Sequence, residues 1–217
     1  MSARNATART REVRSTRDLI LDAAERRFAE RGFAGVSVRE IAADAGLKNQ
    51  ASLYHHFRNK RALYEAVLAR GLEPILALVA ESDAAAAQPR PADPPHFNDR
   101  FIDAVLAYLA EHPHLPRLIQ RAGLDDSRYL KSSVTKLVRP LYTVGVHVLA
   151  SSGSSWPQEE IPHLAAGLYH LIFGYFANAS LLESVLDEDP RSPEAVARQR
   201  EFVKKAVARL LGVPGNQ

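Results

Sequence analysis

Just beyond Gly46, eight side chains of suitable size and chemistry sit close together: Lys48, Asn49, Gln50, Ala51, Ser52, Tyr54, His55 and His56. Leu53 and Phe57 lie four apart among them and can anchor a short helix, which leaves the polar set on its exposed face. Ammonium, amide, hydroxyl and imidazole groups on such a face are the donors and acceptors that meet phosphates and base edges in a nucleic-acid groove. Other chemistries lack their parts. The chain has no Cys, which excludes disulfides, thiolate metal sites and cysteine nucleophiles. It has no phosphate-binding glycine loop and no G-x-S-x-G elbow. His112-Pro-His114 and His55-His56 point neighbouring rings in different directions, and no Glu/His set at four-residue spacing joins them, so no metal site is expected. No cofactor and no enzymatic activity are called for.

The elements that must position the polar set can be read from caps and periodicity. Ser15 with Asp18 opens a first helix carrying Ile20, Ala23, Ala24 and Phe28 on one face, and Gly32 closes it. Ser37 with Glu40 makes a capping box for a second, short helix that buries Val38, Ile41, Ala42 and Ala45 and stops at Gly46. Asn49 caps a third helix through Phe57. Two short helices joined by a tight glycine turn form a helix-turn-helix pattern. A fourth helix runs from Lys60 to about Ser82, with Leu63, Val67, Leu68, Leu72, Ile75, Leu76 and Val79 at helical spacing. Residues 84–96 hold four prolines and predict a loop. Beyond it the pattern is helical throughout, over 97–112, 115–122, 127–151 interrupted at Pro140, 157–187 and 193–211, with no strand signal. The fold class is therefore all-α: a three-helix head on a helical body.

Charge divides the chain in the same place. Residues 1–61 carry 13 Lys and Arg against 7 Asp and Glu, and residues 62–217 carry 15 against 18. A basic head suggests a polyanion partner, a mildly acidic body something else. Residues 1–14, with Arg4, Arg9, Arg11 and Arg14, predict a disordered basic arm. The first thirty residues hold no apolar run of signal-peptide length, and no stretch approaches the roughly 20 uncharged residues of a membrane helix, which points to a soluble, cytoplasmic protein without a membrane partner. The segment Leu164–Leu186 is apolar nearly all round, and a second subunit is the natural cover for it.

Residues 16–68, above all AERGF, REIAADAG and SLYHHFRNKRALYEAV, resemble the N-terminal domain of the TetR-type (tetracycline-repressor-like) transcriptional regulators. The resemblance implies a homodimeric regulator, usually a repressor, that binds a palindromic double-stranded DNA operator and is released by a small-molecule effector. It implies a head at 15–59, a connecting helix at 60–83, and an effector-binding and dimerisation body at 84–217, paired through 157–187 and 193–211. By the same resemblance Ser37, Arg39, Tyr54, His56 and Lys60 occupy phosphate- or sugar-contacting positions and His55 faces the groove. Gln50, Ala51 and Ser52 are the base-edge candidates, since glutamine can pair with adenine and alanine can touch a thymine methyl. Lys48 and Asn49 precede them in a turn one residue longer than the commonest family spacing, so the first turn of this helix is expected to be reset. Arg117, Arg121, Tyr142, His147, His170 and Phe173 lie on helices that surround the family's effector pocket. The alternative is an all-helical small-molecule-binding or enzymatic body with an accessory DNA-binding head.

Overall fold

The computed structural model describes residues 15–86, 96–124, 128–151 and 155–212. The expected basic arm, the proline-bearing part of the 84–96 loop and residues 125–127 lie outside them. Among the described residues the chain forms ten α-helices and no strand: α1 Thr16–Arg31, α2 Val38–Asp44, α3 Ala51–Tyr54, α4 Lys60–Ala86, α5 His96–Glu111, α6 His114–Leu124, α7 Arg128–Ala150, α8 Ile161–Ala177, α9 Ala179–Leu186 and α10 Pro193–Leu210. No single helix is long and apolar enough to cross a membrane.

The caps act as their residue types dictate. The Asp18 amide donates to Ser15 Oγ at 3.1 Å. At the far end of α1, Gly32 takes φ 71° and sends its amide back to Phe28 O at 2.9 Å, a left-handed closure that a side chain would strain. Ser37 and Glu40 complete a reciprocal capping box on α2. Gly46 at φ 73° then turns the chain toward α3.

Four boundaries differ from the sequence expectation. α4 continues past Ser82 to Ala86, because Ala84–Ala86 are strong helix formers ahead of the first proline. α3 is regular only through Tyr54. Its continuation tightens, with the His56 and Phe57 amides both donating to Leu53 O at 3.0 Å. α7 passes through Pro140 without ending; the residue is exposed, where water can satisfy the carbonyl that its missing N–H leaves bare. The helix expected over 157–187 is two, α8 and α9, bent by 74° at Asn178. At the bend the backbone amide and the side-chain amide of Asn178 both donate to Gly174 O, at 3.1 and 2.9 Å.

In the head, Ile20, Ala24, Phe28, Ile41, Leu53 and Phe57 are buried. Phe28 meets Tyr64 of α4 edge-on at 5.0 Å, and Phe33 meets the same ring at 5.3 Å, a geometry that adds about 1 kcal/mol per pair beyond area burial. In the body α4 packs on α7, α5 on α10, and α6 between α1 and α8. α6 therefore touches both head and body.

α4 comes closest to α6 at Gly71. A Cβ there would lie 2.4 Å from Leu115 Cδ1, and Leu115 is 1% exposed. Tyr108 of α5 also donates to Gly71 O at 3.0 Å. Gly71→Ala gains about 1 kcal/mol of helix propensity but overpacks this crossing at a cost of about 1–3 kcal/mol. We expect a lower urea midpoint for the variant; an equal or higher midpoint would contradict the close packing described.

Candidate nucleic-acid interface and body cavity

The outer face of the head is held from behind by ion pairs. Arg27 of α1 grips the Asp44 carboxylate with two nitrogens, Nε at 2.5 Å and Nη2 at 2.8 Å, and Arg26 adds a third contact at 3.1 Å. Arg31 reaches Glu40 Oε1 at 2.7 Å. These contacts lock α2 onto α1 and use three of the arginines that make the head basic. From α4, Arg70 spans Asp22 at 2.8 Å and Glu25 at 2.7 Å on α1. The charge free to meet a polyanion is correspondingly smaller than the sequence total. Among the described residues Arg39, Lys48 and Arg58 have no ion-pair partner, and all three are exposed.

Lys48, Asn49, Gln50, Ala51, Tyr54, His55 and His56 are all exposed, on α3 and the turns either side of it; Ser52 is half-buried. Tyr54 keeps 47% of its surface open, an unusual exposure for an aromatic residue in a packed head. Two members are partly committed. Asn49 Oδ1 caps α3 by accepting from the Ser52 amide at 3.0 Å and from Ser52 Oγ at 3.3 Å. Ser37 Oγ serves the capping box, donating to Glu40 Oε2 at 2.7 Å, and Arg39 is exposed in the same first turn of α2. Lys60 sits with its ammonium 4.4 Å from the Phe33 ring centroid, a cation–π contact that holds the start of α4. Arg58 did not stand out in the sequence. Its one signal was its place between buried Phe57 and Asn59, which caps α4 by accepting from the Ala62 amide at 2.8 Å.

The residues expected around an effector separate into three groups. Tyr142 and Phe173 line a cavity of about 280 Å³ enclosed by α4, α5, α7, α8 and α10. Arg117 and Arg121 line a different space, a cleft of about 670 Å³ between the head and α6, α8 and α9. His147 and His170 line neither, and both are exposed. No charged residue and no histidine lines the cavity among the described residues; its walls are residues such as Ile75, Val105, Leu141 and Leu168. Its polar groups are two phenols. Tyr142 already donates to Pro162 O at 2.7 Å, whereas the Tyr169 hydroxyl has no hydrogen-bond partner among the described residues. Burial pushes the Tyr169 phenol above its ordinary value, so it stays protonated and able to donate.

The sequence profile of the bacterial regulatory proteins of the tetR family matches residues 20–67. The head belongs to the TetR family. The HTH-type transcriptional repressor SCO4008 of Streptomyces coelicolor is 31% identical over 115 residues, 53% of each chain. The HTH-type transcriptional regulator UidR of Escherichia coli is 31% identical over 100 residues, 46% of each. The chain spans about half the length of these curated relatives. At lower identity the likeness extends over nearly the whole chain. The ketosteroid transcriptional regulator KstR2 of Mycobacterium tuberculosis superposes with a TM-score of 0.65 at 22% identity, covering 93% of this chain and 95% of that one.

Two carboxylates of the head, Glu40 and Asp44, are held well below the ordinary carboxylate range and so bear on its response to acid. Hydrogen bonds from Ser37, backbone and side chain, and from Arg31 lower the Glu40 carboxyl from its ordinary 4.5 to about 2. Hydrogen bonds from Arg27 and Arg26 lower Asp44 from 3.8 to about 2. Because both folded values lie below the unfolded ones, this stabilisation is complete above the ordinary carboxylate range and is lost as pH falls through it toward about 2. In urea titrations at pH 6 and pH 3, a Glu40→Gln/Asp44→Asn variant should start less stable than wild type and lose less on acidification. Parallel losses in the two proteins would show that these pairs do not carry the acid response.

Proposed function

We propose that the chain is a ligand-responsive transcriptional repressor. In this reading a head at 15–59 binds operator DNA, a connecting helix at 60–83 joins it to the body, and the body at 84–217 pairs two copies and holds a small-molecule effector. The observation that carries the proposal is the exposed face of α3 and its flanking turns, where amide, phenol and imidazole groups stand clear of a head locked by Arg27–Asp44 and Arg31–Glu40. A rigid scaffold that leaves polar side chains unspent in this way suits groove recognition. Gln50 and Ala51 read base edges with Ser52 beside them. Arg39, Lys48, Tyr54, His56 and Arg58 meet the sugar-phosphate backbone, and Ser37 and Lys60 hold the elements that present them.

Pairing of two copies is supported by apolar surface on the elements expected to pair. Val185 is 68% exposed, Phe202 53% and Leu186 50%, a concentration of large apolar side chains that a soluble monomer rarely leaves open. A two-fold dimer would cover them and set two heads against a palindromic site.

The cavity supports an uncharged, mainly apolar effector. A cavity of about 150 Å³ holds a benzene, so about 280 Å³ suits a body near twice that size. A neutral acceptor on such a molecule, a ketone or ester oxygen, would satisfy the Tyr169 hydroxyl.

Gel-shift titrations against the DNA upstream of the chain's own gene test the assignment. Tyr54→Ala should weaken binding to every duplex about equally, while Gln50→Ala should cost about 1–3 kcal/mol at one base pair and relax preference there. Wild-type protein that prefers no duplex over random DNA would overturn the proposal. Native mass measurement should give twice the chain mass for wild type and a shift toward the monomer for Phe202→Asp.

A further inference from the structure

The cleft between head and body has a chemistry unlike that of the cavity. Arg117 and Arg121, one turn apart on α6, both face it, together with Arg31 and Gly32 at the end of α1 and Asn178 and Ser180 at the start of α9. Arg31 is neutralised by Glu40. Arg117 and Arg121 have no ion-pair or hydrogen-bond partner among the described residues. The Arg121 guanidinium lies over Gly32, 3.7 Å from the place of a Cβ, yet makes no bond to the carbonyls there. α9 opens without a side-chain cap, since Asn178 turns its amide back to Gly174 O, so the positive end of that helix also looks into the cleft. Two unspent guanidiniums and an uncapped helix start converge on one space, and Phe33 and Leu181 give it apolar walls.

We propose that this cleft is a second ligand site, distinct from the apolar cavity, for an organic oxyanion: a carboxylate or phosphate held by Arg117 and Arg121, with its hydrocarbon part against Phe33 and Leu181. Paired N–H donors of a guanidinium match both oxyanions, and α9 amides add donors to the same charge. The site joins three elements that belong to different parts of the chain. Occupancy would tie the end of α1 to α6 and α9, and on the regulator reading above it would bias the position of the head; anion binding itself does not depend on that reading.

Calorimetric titration of the full chain, without DNA, tests it. Phenyl phosphate and benzoate serve as probes, with sodium chloride at matched ionic strength as the reference. Saturable heat is expected from at least one, and the probe that gives it decides between phosphate and carboxylate. Arg117→Gln/Arg121→Gln should weaken that binding at least tenfold, and Arg139→Gln, exposed on α7, should leave it within twofold. Far-UV circular dichroism and urea midpoints of each variant establish that the fold is kept, and Arg117→Gln alone should show an intermediate loss. Heat no different from sodium chloride for both probes would overturn the proposal. So would binding that survives the double substitution or falls equally with Arg139→Gln.

Discussion

The burial of α1 between two partners is the constraint on which the rest of the structure depends. One stretch of this helix sets Ile20, Ala24 and Phe28 into the head core, and the same helix packs on α2, α4 and α6. A helix that must satisfy a head on one side and a body on another cannot rotate or slide without opening one of them, because packed interiors have few voids to absorb movement. The capping glycine, Gly32, sits where these demands meet. Beside it, Phe33 and Tyr64 fix the departure of the chain toward α2 and the arrival of α4.

From that constraint the division of polar groups follows. Arginines on the inner side of α1 are consumed by Asp44 and Glu40, which orient α2, and Arg70 consumes Asp22 and Glu25, which orient α4. Exposed pairs of this kind contribute little stability one by one, but a two-nitrogen grip such as Arg27 on Asp44 fixes geometry. What remains unspent is the outer face: Arg39, Lys48, Gln50, Tyr54, His55, His56 and Arg58. The basic excess seen in the sequence is thus partly scaffold and partly surface, and it is the surface part that matters for a polyanion.

Local signals in the sequence were legible where one residue type suffices. Ser15, Ser37, Gly32 and Gly46 each specify a cap or turn through a single backbone requirement, and each is found in that role. Where several weak preferences compete, the sequence is silent. The break at Asn178 falls inside an apolar run with no proline to mark it. The regular part of α3 is shorter than its caps imply, because the chain must tighten to bring Phe57 into the core. For the body, helical spacing identified the faces but not their rotation. Arg117 and Arg121 were grouped with Tyr142 and Phe173 as one pocket, yet the fold turns the arginines to the head and the aromatic residues to the cavity, and it leaves His147 and His170 on the surface. Cavity walls of Val, Ile and Leu cannot be told from ordinary core in a linear sequence, since what distinguishes them is the space they leave.

On the proposed reading, a rigid head presents its polar face to DNA in two copies related by a two-fold axis. Footprinting of the full chain on its own upstream region tests this most directly. Two protected half-sites of inverted sequence are expected, with centres one helical turn or a small multiple of turns apart along one face of the duplex. A single protected half-site, direct repeats, or uniform protection without sequence preference would contradict it.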